Sequence, residues 1–309
     1  MLPTGEQFTL VLEGEAGTVT ATVTELAASL RALRVGGVPL VHEYPDDLTP
    51  PYGAGIVLVP WPNRVRDARW TLNGKEQRLD VTEPSTGNAT HGLLRNTGYR
   101  ATDRSDAAVT LSATVFPQHG YPFLLETSVR YELTPSGIQV THGIVNAGAD
   151  PAPVALGAHP YFRVGDIPSE ELTVTVRASS WFPVDDRFIP TGREPVEGTE
   201  NDLRGGVPLR GASLNSAFTD LELMDGAYRH VLTAPDGSAT EVWGDEDFAY
   251  VQVFTQPAFT GLSGTELAVA LEPMTAPANA LQTGEGLRWL EPGETWLARW
   301  GVRYLPAAA

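Results

Sequence analysis

Apolar residues recur at every second position through most of this chain, and such alternation suits strands that bury one face and little else. It runs through TVTATVTEL from residue 18, ETSVRYEL from 126, GIQVTHGIV from 137, ELTVTVRAS from 171, AYVQVFT from 249, ELAVALE from 266 and TWLARWGVRYL from 295. Gly, Pro, Asn or Asp bounds each run. In the last of them Trp296, Ala298, Trp300, Val302 and Tyr304 share one face, with Arg299 and Arg303 on the other. Sustained amphipathic helix is nearly missing. TELAASLRALRV, from residue 24, fits a helix and a pair of strands equally well.

The 31 glycines and 25 prolines act as punctuation between these runs, as in Asn73-Gly74, Pro135-Ser136-Gly137 and Pro235-Asp236-Gly237. Short turns of that kind join antiparallel strands. The stretch from about 185 to 212, rich in charge, Gly and Pro, reads as a long surface loop, and strand patterns resume after it with no shift in composition. The expectation is an all-β chain forming one large domain over 1–309.

Formal charge excludes some partners. With 21 Lys and Arg against 38 Asp and Glu, the net charge of -17 repels phosphate backbones and anionic lipid, so neither nucleic acid nor a membrane surface is expected as a partner. There is no cysteine, which excludes disulfides, thiolate nucleophiles and Cys-bound zinc. MLPTGEQFTL lacks a basic segment followed by an apolar core, and no uninterrupted apolar run is long enough for a membrane span, the pattern expected of a cytoplasmic protein.

Four stretches set polar groups in apolar or strand-like surroundings: PWPNRVRDARW with Asn63 and Arg64, NATHGLLRNTGY with His91, ALGAHPYF with His159, and VALEPMTAPANAL with Glu272. Each residue also fits an ordinary role: an ion pair for Arg64, a turn for His91, a core histidine at 159, a hydrogen-bonded buried acid at 272. One feature links two of them. His159 and Glu272 both precede proline, which disfavours helical backbone in the residue before it and holds that residue extended. An acid and a base gain from such fixed placement. His42, His119, His142 and His230 sit in loop, turn or strand settings that suit surface or structural roles, and no His-x-His or His-Glu-x-x-His spacing marks a metal site.

Taken in order, these stretches resemble the aldose 1-epimerase (galactose mutarotase-like) family. The resemblance rests on Asn63-Arg64 ahead of Trp70 and the Asn73-Gly74 turn, His91-Gly92, His159 to Phe162, Gln252 in VQVFT, and Glu272-Pro273, and it spans about residues 15 to 303. It implies a single large antiparallel β-sandwich, a supersandwich, that holds a small-molecule sugar on its concave face without metal or organic cofactor. It implies further that Glu272 takes the proton of the anomeric hydroxyl, that His159 protonates the ring oxygen, and that Arg64, His91 and Gln252, with Asn63 beside them, hold the sugar. Opening a hemiacetal needs one proton removed and another delivered, which a carboxylate and an imidazole can share near neutral pH. Trp61 and Tyr161 are candidates for stacking on the sugar, although core packing is the expected role of each.

One departure stands out. Where the family usually carries an Asp, this chain offers Asn215 in GASLNSAFTDLEL; Asp220, an odd number of residues on, falls on the opposite face of an extended segment. The expected activity is interconversion of α and β anomers of a free aldohexose such as glucose or galactose. Three alternatives remain. A hexose-6-phosphate 1-epimerase would want basic residues gathered round the pocket, whereas alternation splits Arg64, Arg66 and Arg69 between faces. A non-catalytic carbohydrate-binding protein would need neither His159 nor Glu272. A glycosidase would need a second carboxylate flanking the bond. Oligomeric state is left open.

Overall fold

The computed structural model describes residues 1–14 and 17–307. Every ladder between its strands is antiparallel, and the strands gather mainly into a ten-stranded and an eight-stranded sheet, with a four-stranded sheet built from the first forty residues. Six strands matter most below: β1 (Leu125–Thr134), β2 (Gly137–Asn146), β3 (Asn215–Leu221), β4 (Tyr250–Gly261), β5 (Gly264–Met274) and β6 (Thr295–Leu305). β1, β2 and β6 lie side by side in the ten-stranded sheet, while β3, β4 and β5 do so in the eight-stranded one.

The alternation read from the sequence decides which side of each strand faces inward. In β1, Leu125, Val129, Tyr131 and Leu133 are buried among residues of both large sheets, including Phe218, Val251 and Val253. In β6, Trp296, Ala298, Trp300 and Val302 are buried as the period-two pattern requires. Turn chemistry falls where it was read. Asn73-Gly74, both at positive φ, joins the strands Arg69–Leu72 and Lys75–Arg78; Pro135-Ser136 separates β1 from β2; and Pro235-Asp236-Gly237 lies between the strands Ala227–Thr233 and Ala239–Gly244. The chain is thus an antiparallel β-sandwich, as expected.

TELAASLRALRV resolves as the last residue of the strand Val19–Thr24, a turn, and the strand Leu30–Val35, and these two strands pair with each other. Ala27 and Ala28 take left-handed φ between them, and the Thr24 N–H donates to the Ser29 carbonyl at 2.9 Å to close the turn. A helix has no use for two successive left-handed residues. The stretch from 185 to 212 is more than a surface loop: Ile189, Val196, Leu203 and Leu209 are buried in it, and short strands at Glu194–Pro195 and Val207–Pro208 add it to both large sheets.

The histidines assigned surface or structural roles lie outside the hollow described below. His42 bridges Glu266 (2.9 Å) and Ser169 (3.1 Å), which ties distant parts of the chain together under full burial of the ring. His142 accepts from Trp300 Nε1 at 2.9 Å, and burial holds its pKa down at about 3, so it stays neutral. His230 is buried and His119 is exposed beside Asp80. Among the described residues no helix is long and apolar enough to cross a membrane.

Candidate active site

All seven residues singled out above, Asn63, Arg64, His91, His159, Asn215, Gln252 and Glu272, line one hollow with about 320 Å³ of free space; Phe254 is the eighth lining residue. Sheet register explains why. β4 and β5 pair with Gln252 opposite Glu272, and β3 and β4 pair with Asn215 opposite Phe254, so these four side chains rise from neighbouring strands on one face. The short strands on either side of His159 pair with the far edge of β5: Gly157 lies opposite Met274 and Tyr161 opposite Ala270. Continuing that register puts His159 across from Glu272. Pro160 interrupts the ladder there, and the His159 backbone bonds instead to Ile56 and Gly55, at 3.0 and 2.8 Å.

Asn63, Arg64 and His91 come from the opposite wall. Arg64 pairs with Thr90 in a two-residue ladder, and the His91 N–H donates to the Asn63 carbonyl at 2.8 Å. Asn63 and His91 both adopt left-handed φ, and Gly92 follows at φ 72. Glycine is required at 92, because a Cβ there would run into the carbonyl of Val59. The His-Gly pair is therefore a close-packed turn that aims an imidazole into the hollow.

The acid and the imidazole touch. His159 Nε2 lies 3.4 Å from Glu272 Oε1, and both side chains are almost fully buried. Burial pushes the Glu272 carboxyl up to about 8, with Arg64 opposing, and pushes His159 down to about 4. Both shifts favour uncharged groups, since an isolated buried charge costs several kcal/mol. Near neutral pH the pair then holds one proton in total. Glu272 Oε2, His159 Nδ1 and His91 Nδ1 are buried with no partner among the described residues, and burial also lowers the His91 pKa well below its ordinary value. The His91 and His159 rings meet edge to face at 5.3 Å.

Several residues of the site gave no signal in the sequence. Glu83 takes Arg64 Nε and Nη2 in a two-pronged pair, each contact 2.8 Å, and Thr86 donates to the same carboxylate. Burial alone would raise the Glu83 pKa, but these hydrogen bonds hold it below the ordinary range. Phe188, from the 185–212 segment, lies against the Arg64 guanidinium at 4.8 Å. Phe254 was legible only through its parity with Gln252 on β4. Trp61 and Tyr161 belong to the core instead: Trp61 packs on Tyr121 at 5.9 Å and Tyr161 on Phe259 at 5.0 Å. Asp220 is outside the hollow, paired with Arg193.

The arginines near Arg64 do not cluster, although for a different reason from simple alternation. A tight turn at Arg66–Ala68 interrupts the extended backbone, and each arginine meets its own carboxylate: Arg64 with Glu83, Arg66 with Asp185, Arg69 with Glu76. A larger hollow, about 1020 Å³, opens beside β1, β2 and β6, but its lining is mostly Ser, Thr and Gly, with Arg100 and Glu126 as its charged members and no histidine among its lining residues.

Sandwich and hollow together define a β-protein that brings a carboxyl and an imidazole into contact in a small polar depression. The chain belongs to the aldose 1-epimerase family, whose model matches residues 10–303. It is 29% identical over 283 residues to the uncharacterized protein YihR of Escherichia coli, a match covering 90% of this chain and 88% of that one. It is 32% identical over 173 residues to galactose mutarotase of Rattus norvegicus, covering 52% of this chain and 47% of that protein, so the match takes in about half of the mammalian enzyme. Among solved structures, the GalM/aldose epimerase homologue from C. elegans superposes with TM-score 0.84 at 17% identity, covering 98% of this chain and 100% of that one. Galactose 1-epimerase from Lactobacillus acidophilus superposes with TM-score 0.77 at 17% identity, covering 98% and 99%. At such identities the superpositions speak for the fold.

Proposed function

We propose that this protein interconverts the anomers of a free aldohexose, with Glu272 and His159 as the proton-transfer pair. The observation that carries the reading is their 3.4 Å contact inside a polar hollow in which Glu272 Oε2 and His159 Nδ1 have no partner among the described residues. Transfer of the shared proton from Glu272 to His159 across their 3.4 Å contact first gives the charged tautomer, in which Glu272 as carboxylate removes the proton from the anomeric hydroxyl while His159 as imidazolium delivers one to the ring oxygen. The bond between C1 and the ring oxygen breaks, C1 becomes an aldehyde, and rotation about C1–C2 exposes either face to reclosure. The reverse transfers then restore the pair. Ring opening converts the charged tautomer into the uncharged one, so the pair carries one proton throughout. Arg64, His91, Gln252, Asn63 and Asn215 hold the sugar.

A free sugar is favoured over a phosphorylated one because Arg64, Arg66 and Arg69 are each already engaged by a carboxylate, which leaves Arg95, whose charge reaches His91 and His159, as an arginine near the hollow with no ion pair among the described residues. The test is polarimetry of freshly dissolved α-glucose and α-galactose, beside the corresponding 6-phosphates. Acceleration confined to the phosphates would favour the alternative substrate; binding without acceleration would make this a carbohydrate-binding protein.

The pH profile follows from the one-proton requirement. Above about 8 Glu272 loses the shared proton and no acid remains; below about 4 His159 gains a second proton and no base remains. The expected kcat/KM is flat between those limits and falls on both sides. A rate that keeps climbing well above pH 8 would remove the shared-proton scheme.

Glu83 acts as a positioning residue for Arg64. Glu83→Ala is expected to raise KM about tenfold with kcat within about threefold, because a charge-assisted two-pronged pair is lost while the acid and base stay in place. Glu83→Gln, which keeps one acceptor, should recover part of the loss. Equal falls in kcat for both variants would mean that Glu83 does more than orient Arg64.

A further inference from the structure

Polar side chains join the two walls of the hollow in one direction. Arg64 Nη1 donates to Asn63 Oδ1 (3.3 Å), Asn63 Nδ2 donates to Gln252 Oε1 (3.1 Å), and Gln252 Nε2 donates to Asn215 Oδ1 (2.9 Å). An amide can in principle face either way, but a guanidinium has donors only. Arg64 therefore sets the orientation of Asn63, Asn63 that of Gln252, and Gln252 that of Asn215. Reversing the row would set the Asn63 amide nitrogen against the Arg64 guanidinium, donor against donor. Glu83 holds Arg64 at the head through two contacts of 2.8 Å.

The end of the row lies in the hollow. The Asn215 carbonyl oxygen is taken by Gln252, while Asn215 Nδ2 donates to no protein group among the described residues, and Asn215 is a lining residue. We infer that Asn215 is a specificity determinant that presents an N–H donor to the sugar, so that the site selects aldoses whose contacted group is a hydrogen-bond acceptor. Such a group is a ring hydroxyl engaged through its lone pairs, or an acceptor-only oxygen in its place. An Asp at 215 would still accept from Gln252 Nε2, but its second oxygen would demand a donor from the sugar. One atom thus reverses the polarity of the subsite without disturbing the row behind it.

This inference rests on the proposal that the hollow binds an aldose, and its test separates the two. The full chain and Asn215→Asp are titrated calorimetrically with glucose and galactose and with their deoxy and deoxyfluoro analogues at each non-anomeric hydroxyl position. A C–F group accepts weakly and cannot donate, and a C–H group does neither. At the contacted position the native protein is expected to keep the fluoro analogue within about threefold of the parent sugar and to lose about tenfold on the deoxy analogue, the scale of one hydrogen bond. Asn215→Asp should lose about tenfold on both analogues, since neither donates. Equal losses on fluoro and deoxy analogues by the native protein, or the same pattern in the variant, would overturn the donor assignment while leaving sugar binding intact. Failure of every sugar to bind would overturn the functional reading and this inference with it.

Discussion

Glu272→Gln is expected to lower the mutarotation rate at least about a hundredfold, the lower range for loss of a general base, without loss of the fold. Glu272 stands inside β5 with Gln252 as its cross-strand neighbour, and an amide fills the same space and can still meet His159. What it cannot do is take a proton. Stability should move the other way. Burial raises the Glu272 pKa from 4.5 to about 8 in the folded chain, so the folded state binds more protons than the unfolded one between those values. Its stability therefore falls as pH rises through that interval, whereas a glutamine is indifferent. The variant's melting temperature is expected to gain on the native protein's from pH 5 to pH 8. A folded variant that turns over sugar at nearly the native rate would show that Glu272 is not the base.

The sheets were legible in the sequence because alternation is a local signal: Trp296, Ala298, Trp300 and Val302 announce the inward face of β6 without reference to any other strand. One wall of the site was legible in part. His159 and Glu272 each precede proline, and the register of β5 then puts them opposite one another. The supports of the site could not be read in this way. Glu83 lies in TEPSTGN, which has no apolar period to place it, and its meaning comes only from Arg64, 19 positions away. Phe188 belongs to a segment whose charge and Gly and Pro content suggest surface, and it is folded back by apolar residues such as Ile189 and Val196 too sparse to form a period. The direction of the amide row is less visible still, for it depends on contacts between residues 63, 252 and 215, none of which is near another in sequence.

His159→Asn is expected to match the loss in Glu272→Gln, about a hundredfold or more, while equilibrium binding of the sugar changes by no more than about threefold. The separation follows from what each group does. Arg64, Gln252 and Asn215 stand on other strands and keep their hydrogen bonds when the imidazole is removed. Asparagine is close in size and keeps a hydrogen-bonding end, but it cannot carry the proton that the ring oxygen needs. The acid limb of the pH profile should vanish with it, because that limb belongs to His159 taking up a second proton near pH 4. A control comes from the same molecule. His230 is equally buried, burial lowers its pKa to about 4 as well, and it lies outside the hollow. His230→Asn is therefore expected to lower the melting temperature and leave kcat within about twofold, since loss of packing alone does not touch proton transfer. If the two asparagine variants behave alike, with stability lost and turnover kept, His159 is a core histidine of the same kind as His230, and its contact with Glu272 is a product of packing.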